Sequence, residues 1–171
     1  MSPDATATTA ALARLLAEID VDRAGLSKRM ADLREAERRL TLDPEDPGSL
    51  ALAAVGLHGW YTGLEAIFER IARELDMSLP TGERWHRDLL TQMTAEIPGI
   101  RPPVIDSSLV PELVLLLAFR HFFRHAYAVS LDQERLSREI ARALGAEDRV
   151  TAALDAFAAF VKATISKIAS G

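Results

Sequence analysis

Five side chains that can bind phosphate or move protons lie within one short run, RHFFRHAY at residues 120–127. Guanidinium groups bind phosphate oxygens through paired hydrogen bonds and keep their charge at every useful pH. Histidine has an ordinary pKa of about 6.5 and therefore exchanges protons near neutral pH. An arginine can neutralise charge on a pentavalent phosphorus while a histidine deprotonates a ribose 2′-hydroxyl or protonates the leaving oxygen. The run fits metal-free phosphodiester cleavage, although charge-rich runs are also common on solvated faces and at interfaces.

The same run predicts one face of a helix. At about 100° per residue, Arg120, Arg124 and Tyr127 gather within about 60° of one another, with His121 and His125 beside them. The apolar residues occupy the other side and form the expected core face: Phe119, Phe122, Phe123, Ala126 and Val129. We therefore expect a cationic, titratable face opposite the core. Arg120 and His125 point about 140° apart, so a two-fold partner or a distorted helix end is needed to bring both to one phosphate.

A metal site is an alternative use of the two histidines in this run. His121 and His125 form an HxxxH pair, a helical spacing that can chelate zinc. The pair needs a third ligand, which His58 or His86 would have to supply from another helix. No glutamate follows His121 directly, so the metalloprotease motif is absent.

Other polar residues have simpler interpretations. The acids Glu65 and Glu69 lie one turn apart near Arg70 and Arg73, which indicates surface ion pairs. His86 follows Trp85 at the start of a predicted helix, where we expect it to cap that helix. The sequence contains no GxSxG elbow, no phosphate-binding loop and no dinucleotide fingerprint.

The elements that must hold the run are all helices. Gly and Pro cluster in three short stretches, and the segments between them carry helical periodicity. One long helix, or a pair broken near Gly25, is predicted over 8–42, and a second helix over 49–76. Further helices are predicted after an SLPTG turn with Thr81 as the cap, and from Ser107 or Ser108 with Pro111 in the first turn. A polar stretch then precedes a last helix over 146–169. The fold class predicted is an all-α bundle of four to five main helices.

Three glycines share a stripe on the second predicted helix: Gly56, Gly59 and Gly63. Each lowers helix propensity by roughly 0.8–1 kcal/mol relative to alanine. We expect a neighbouring helix or a symmetry mate to approach this stripe closely.

Composition bounds the remaining classes. The chain has 171 residues, 49% of them hydrophobic, and a net charge of −5. This length is normally one domain, so we expect a single domain over 1–171, with 1–45 as an N-terminal helical extension packed on it. There is no cysteine, which excludes disulfides and thiolate metal sites. Apolar runs are too short for a membrane span and the amino terminus lacks a basic start, so we expect a cytoplasmic protein.

The motif R-x4-H-x-Y, formed by Arg120, His125 and Tyr127, resembles the signature of HEPN-domain proteins, specifically the HepT-like ribonuclease toxins. The blocks WYTGLE, WHRDLL and IPG are similar to one branch of that family. The resemblance covers about residues 56–136. The family usually has a polar residue, most often asparagine, after the arginine, whereas this chain has His121.

The resemblance implies a metal-independent endoribonuclease that cleaves single-stranded RNA as a homodimer. Arg120 and His125 would be catalytic, and His121 and Arg124 would bind RNA or support catalysis. A nucleotidyltransferase antitoxin would silence the enzyme by transferring AMP to Tyr127. We expect no cofactor, no metal, no membrane and no DNA among its partners. The alternative is a non-catalytic HEPN-like subunit that docks a nucleotidyltransferase and helps to bind a nucleotide or other ligand.

Overall fold

The computed structural model describes residues 3–125 and 132–170, and for His125 the backbone only. Within these ranges the chain forms five α-helices: α1 Pro3–Leu42, α2 Pro47–Glu74, α3 Trp85–Thr94, α4 Val110–His125 and α5 Gln133–Ser170. A 3₁₀ turn over Ser107–Leu109 precedes α4, and no strand occurs in the described parts. The prediction of an all-α helical bundle is confirmed.

Helix α1 packs against the glycine stripe of α2. A Cβ added at Gly56 would lie 2.9 Å from the Leu33 side chain, and one at Gly63 would lie 3.0 Å from Leu26. At Gly59 the nearest atom is Nε of Arg29, at 2.8 Å. A neighbouring helix therefore does approach the stripe, as predicted, and that helix is α1.

The amino-terminal helix supplies part of the hydrophobic core. Its buried face repeats at helical spacing and comprises Leu15, Leu16, Ile19, Leu26, Met30, Leu33, Ala36 and Leu40. Ion pairs with α5 hold its outer side, between Arg23 and Asp155 and between Arg34 and Glu147. Burial of this stripe is the main stabilising contribution of α1, because exposed ion pairs are worth little.

Two predicted helix boundaries are wrong. Helix α3 begins at Trp85 with Arg84 at the N-cap and no side-chain cap, so Thr81 does not cap it. Helix α5 begins at Gln133, so residues 132–145 do not form a separate polar stretch before a helix at 146. Leu136, Ile140 and Ala143 are buried and continue the inward face of the later residues, which explains why one helix covers the whole segment.

The connection between α3 and α4 is fixed by a buried arginine. Arg101 is 2% exposed, and its Nε and Nη2 donate to the two carboxylate oxygens of Asp76 at 2.6 and 2.7 Å. Its Nη1 and Nη2 also donate to the carbonyls of Ala95 and Gln92. This bidentate pair anchors the proline-rich loop to the end of α2, and so it sets where α4 begins relative to α3.

The first half of α4 is apolar and faces the core. Leu113, Leu116 and Leu117 are buried, whereas Leu115 is 44% exposed. The helix begins after Asp106 caps the 3₁₀ turn by accepting a hydrogen bond from the Ser108 amide, and Pro111 lies in its first turn as predicted. Among the described helices, none combines the length and the apolar character that crossing a bilayer requires.

Substitutions at Gly25 and Gly56 should change the free energy of unfolding in opposite directions. Gly25 lies in the interior of α1 with nothing within 4 Å of an added Cβ, so Gly25→Ala should raise the free energy of unfolding by about 0.5–1 kcal/mol. Gly56→Val should lower it by about 1–3 kcal/mol, because the new side chain meets Leu33. Urea unfolding followed by circular dichroism measures both. A stabilised Gly56→Val variant would contradict the close approach of α1 and α2.

Candidate functional site

Arg120 points into the molecule. The residue is 8% exposed, and its Nη2 lies 3.0 Å from Oε2 of Glu65 on α2. Its Nε donates to the Thr62 hydroxyl at 3.3 Å. The prediction that Arg120 lies on a solvated face opposite the core is therefore wrong. The paired carboxylate compensates the cost of removing the guanidinium from water, which is why a buried position is tolerated here.

Glu65 binds a second partner through its other oxygen. Oε1 lies 2.5 Å from Nδ1 of His86, at the start of α3. Glu65 is 4% exposed, so its interpretation as a surface acid is wrong, and His86 contacts Glu65 through its ring instead of capping α3. Glu69 does pair with Arg73, at 3.7 Å, as expected. We call Glu65, His86 and Arg120 the buried cluster.

The contact with Glu65 places a proton on one ring nitrogen of His86. An ionised carboxylate only accepts, so Nδ1 of His86 carries the proton that Glu65 binds. On the other side of the ring, Nη1 of Arg120 lies 3.5 Å from Nε2 of His86. His86 therefore lies between a carboxylate and a guanidinium. The buried cluster links α2, α3 and α4 through charged groups.

Aromatic rings surround His86. Trp85 stacks on it with ring centroids 3.7 Å apart, and His121 of α4 meets it edge-on at 5.0 Å. His121 itself is exposed. One member of the predicted catalytic run, His121, thus lies beside the buried cluster, on its outer side.

A fourth histidine lies on the other side of Arg120. His58 of α2 is partly buried, and its ring packs on Phe123 with centroids 5.5 Å apart. Burial lowers the pKa of His58, and the positive charges of Arg120 and Arg124 lower it further. Burial, and after it the cations of α4, therefore disfavour the protonated form of His58.

The other predicted site residues are Arg124, His125 and Tyr127. Arg124 is exposed near the end of α4, where it is close enough to act on His58. The side chain of His125 and the whole of Tyr127 lie outside the described residues. The structure therefore brings together Arg120, His121 and Arg124 on one helix.

Sequence reasoning missed Glu65 and Thr62 as partners of Arg120. The available signal was the position of Glu65, four residues after Tyr61 and three before Phe68, on the apolar stripe of α2. A carboxylate on a buried stripe requires a buried cation, which indicates an arginine or a protonated histidine from another helix.

The arginines divide into two groups by their partners. In the part of the chain that the structure describes, every arginine except four has a carboxylate oxygen within 4.0 Å. The four exceptions are Arg84, Arg87, Arg124 and Arg135. Arg84 and Arg87 lie beside His121, and Arg135 lies over the Phe122 ring at 3.9 Å. The arginines without a carboxylate therefore surround α4 and the start of α3.

The family to which the chain belongs follows from a match to a known family model. A family model described as HepT-like protein matches residues 51–161, which include Glu65, His86 and the whole of α4. The chain belongs to the HepT-like family. No curated protein and no solved structure matches it. The match begins within α2, so α1 of this HepT-like protein lies outside the matched region.

Metal ligation was the alternative use of the histidines. Among the side chains that the structure describes, no group of three His, Cys, Asp or Glu residues is arranged to hold a metal ion. His86, which was one possible third ligand, uses Nδ1 to bind Glu65.

Removing Glu65 should strongly destabilise the HepT-like fold. Glu65→Ala leaves the Arg120 charge buried without its partner, and we expect a loss of about 3–5 kcal/mol in the free energy of unfolding. The combined change Glu65→Leu with Arg120→Met removes both charges and should recover most of that loss. Glu69→Ala, which breaks an exposed pair on the same helix, is the matched control and should cost less than about 1 kcal/mol.

Chemical denaturation of the four proteins measures these differences. Equal, small losses for Glu65→Ala and Glu69→Ala would show that the buried pair contributes no more than a surface pair.

Proposed function

We propose that this HepT-like protein is a toxin-type endoribonuclease that cleaves single-stranded RNA in the cytoplasm without a metal ion. The observation that carries the proposal is the group of arginines without carboxylate partners around α4 and the start of α3. In a chain with a net charge of −5, these side chains supply the local positive field that a polyanion requires.

Arg120 and His125 are the proposed catalytic residues. Arg120 is held by Glu65, His86 and Thr62, so its guanidinium is positioned before substrate binds. Both of its terminal nitrogens carry a second N–H, which can bind the phosphate oxygens as charge develops. His125 removes the proton of the ribose 2′-hydroxyl or protonates the leaving 5′-oxygen. The 2′-oxygen attacks phosphorus, the 5′-oxygen departs, and a 2′,3′-cyclic phosphate remains. Arg124 and His121 support RNA binding.

A second copy of the chain completes this site in the proposal. Arg120 and His125 diverge by about 140° on one helix, so the cleft between two copies of α4 would combine groups from both. The exposed side chain of Leu115 on α4 lies outside the described cavities and supports a homodimer formed through this helix.

Cleavage in EDTA tests the activity. Wild-type protein, with intact mass confirming that it is unmodified, should cut a mixed-sequence single-stranded RNA and leave 2′,3′-cyclic or 3′-phosphate ends. His125→Ala should lower the rate at least ~100-fold through loss of proton transfer. Arg14→Ala removes an exposed arginine on α1 that pairs with Glu74 at the end of α2, and it should cleave normally. DNA of the same sequence should stay intact because it lacks the 2′-hydroxyl. Intact RNA after incubation with the unmodified wild type would refute the nuclease.

A non-catalytic binding subunit is the second candidate. It is favoured by one observation, the compensation of the Arg120 charge by Glu65 inside the fold. In that role the same face docks a nucleotidyltransferase and presents a nucleotide to it. His125→Ala would then weaken partner or nucleotide binding and would alter no RNA.

Tyr127 is the proposed site of control by the antitoxin. Of the two tyrosines in the chain, Tyr61 is 2% exposed and burial raises its pKa, so it is a poor acceptor. Incubation with a cognate nucleotidyltransferase and ATP should add AMP to wild type and abolish cleavage, whereas Tyr127→Phe should gain no mass and stay active. Intact-mass spectrometry before and after incubation measures the adduct. An AMP adduct on Tyr127→Phe would place the modification elsewhere.

A further inference from the structure

A cavity of about 180 Å³ opens between the start of α3 and the outer face of α4. Its α4 wall is apolar and consists of Val114, Leu117 and Ala118, followed by His121. Its opposite wall comes from the start of α3 and carries Glu83, Arg84, His86 and Arg87. The volume is below the roughly 300–1,000 Å³ of sites that enclose whole small-molecule ligands, so the cavity suits one planar group of a larger ligand.

The charges on its walls favour an anion. Arg84 and Arg87 are exposed and belong to the arginines that have no carboxylate partner in the described structure. Glu83 contributes one negative charge against these two positive ones. Arg84 and Arg87 lie three residues apart at the start of α3, which is one helical turn, and guanidinium groups bind phosphate oxygens through paired hydrogen bonds.

The rings on its walls favour a flat aromatic group. His86 is fixed between Glu65 and the stacked Trp85, so its ring keeps one orientation. His121 approaches it edge-on from α4, at 5.0 Å between centroids. The cavity lining therefore combines apolar side chains and imidazole rings with two guanidinium groups, the two features that bind a base and its phosphate.

We propose that this cavity binds one nucleotide of single-stranded RNA, with its base against Val114, Leu117 and Ala118 and its phosphate on Arg84 and Arg87. The choice of RNA as the ligand rests on the proposed function. His86 connects the two sites, because its ring lines the cavity and its Nε2 lies 3.5 Å from Arg120. The bound nucleotide is therefore a near neighbour of the phosphodiester that Arg120 contacts, and the cavity fixes the register of the RNA.

Binding of an uncleavable RNA tests the cavity without requiring catalysis. The probe is a fluorescently labelled single-stranded RNA with 2′-O-methyl groups at every position, followed by anisotropy. Ala118→Leu fills the cavity from an exposed helix position and should weaken binding about tenfold, the loss expected for one stacked base. Its matched control is Ala152→Leu, an exposed alanine that lines a different groove on α5 and should bind as wild type.

The salt dependence of binding tests the phosphate contact separately. Removing both guanidinium groups in Arg84→Ala/Arg87→Ala should reduce the slope of log K against log salt by about 0.7, because the pair binds one phosphate and each neutralised phosphate of a single strand contributes about 0.7. Arg138→Ala, an exposed arginine on α5, should leave the slope unchanged. Unaltered affinity in Ala118→Leu, or an unaltered slope in the double variant, would overturn the proposal. So would the absence of any binding by wild type.

Competition with small ligands separates a nucleotide from a bare anion. A nucleoside 3′-monophosphate should displace the probe from wild type at a concentration at least about tenfold below that of inorganic phosphate. Equal potency would refute the base contact. If the cavity variants weaken binding while wild type leaves natural RNA intact, the cavity stands and the proposed nuclease fails. If wild type cleaves RNA and the cavity variants bind normally, the nuclease stands and the cavity proposal fails.

Discussion

The ion pair between Glu65 and Arg120 is the constraint on which the arrangement of the site depends. A charge buried without a partner would cost several kcal/mol, so each of these residues requires the other. Glu65 also binds His86, and the one carboxylate thereby ties α2 to α3 and to α4. The three helices around the site are held together by a charged contact as well as by apolar packing. The position of Arg120 relative to the outer face of α4 follows from this contact.

Local periodicity predicted the helices, because burial of one face leaves a repeating apolar pattern in each segment. The same reasoning explains the close contact at Gly56, Gly59 and Gly63, since a glycine stripe within a helix indicates a near neighbour. It failed for the start of α5, where Leu136 and Ile140 continue the buried face through a stretch rich in charged residues. It also failed for Thr81, because a capping residue type does not ensure that a helix starts beside it.

The environment of Arg120 could not be predicted from its own segment. A helical projection places it opposite the phenylalanines of α4, and this side was expected to be solvated. In the fold α2 and α3 lie against the face of α4 that carries Arg120. Which carboxylate an arginine meets is a tertiary property, as the pairs Arg34–Glu147 and Arg149–Glu112 also show. For the same reason the arginines left without a carboxylate could be identified only from the structure.

The guanidinium group of Arg120 has to meet two requirements, one from the fold and one from the proposed chemistry. Glu65 stabilises the fold by neutralising Arg120, yet the proposed chemistry requires that Arg120 still attract a phosphate. Both requirements are met if Glu65 and His86 hold one side of the guanidinium and substrate meets the N–H groups that remain. Net attraction for RNA then has to come from cations that no carboxylate compensates. Arg84, Arg87 and Arg124 have that property in the described structure, and they lie around the helix that carries Arg120. The fold thus assigns two tasks to different residues. Glu65 of α2 and His86 of α3 hold Arg120 in a fixed position, whereas Arg84, Arg87 and Arg124 supply the positive field.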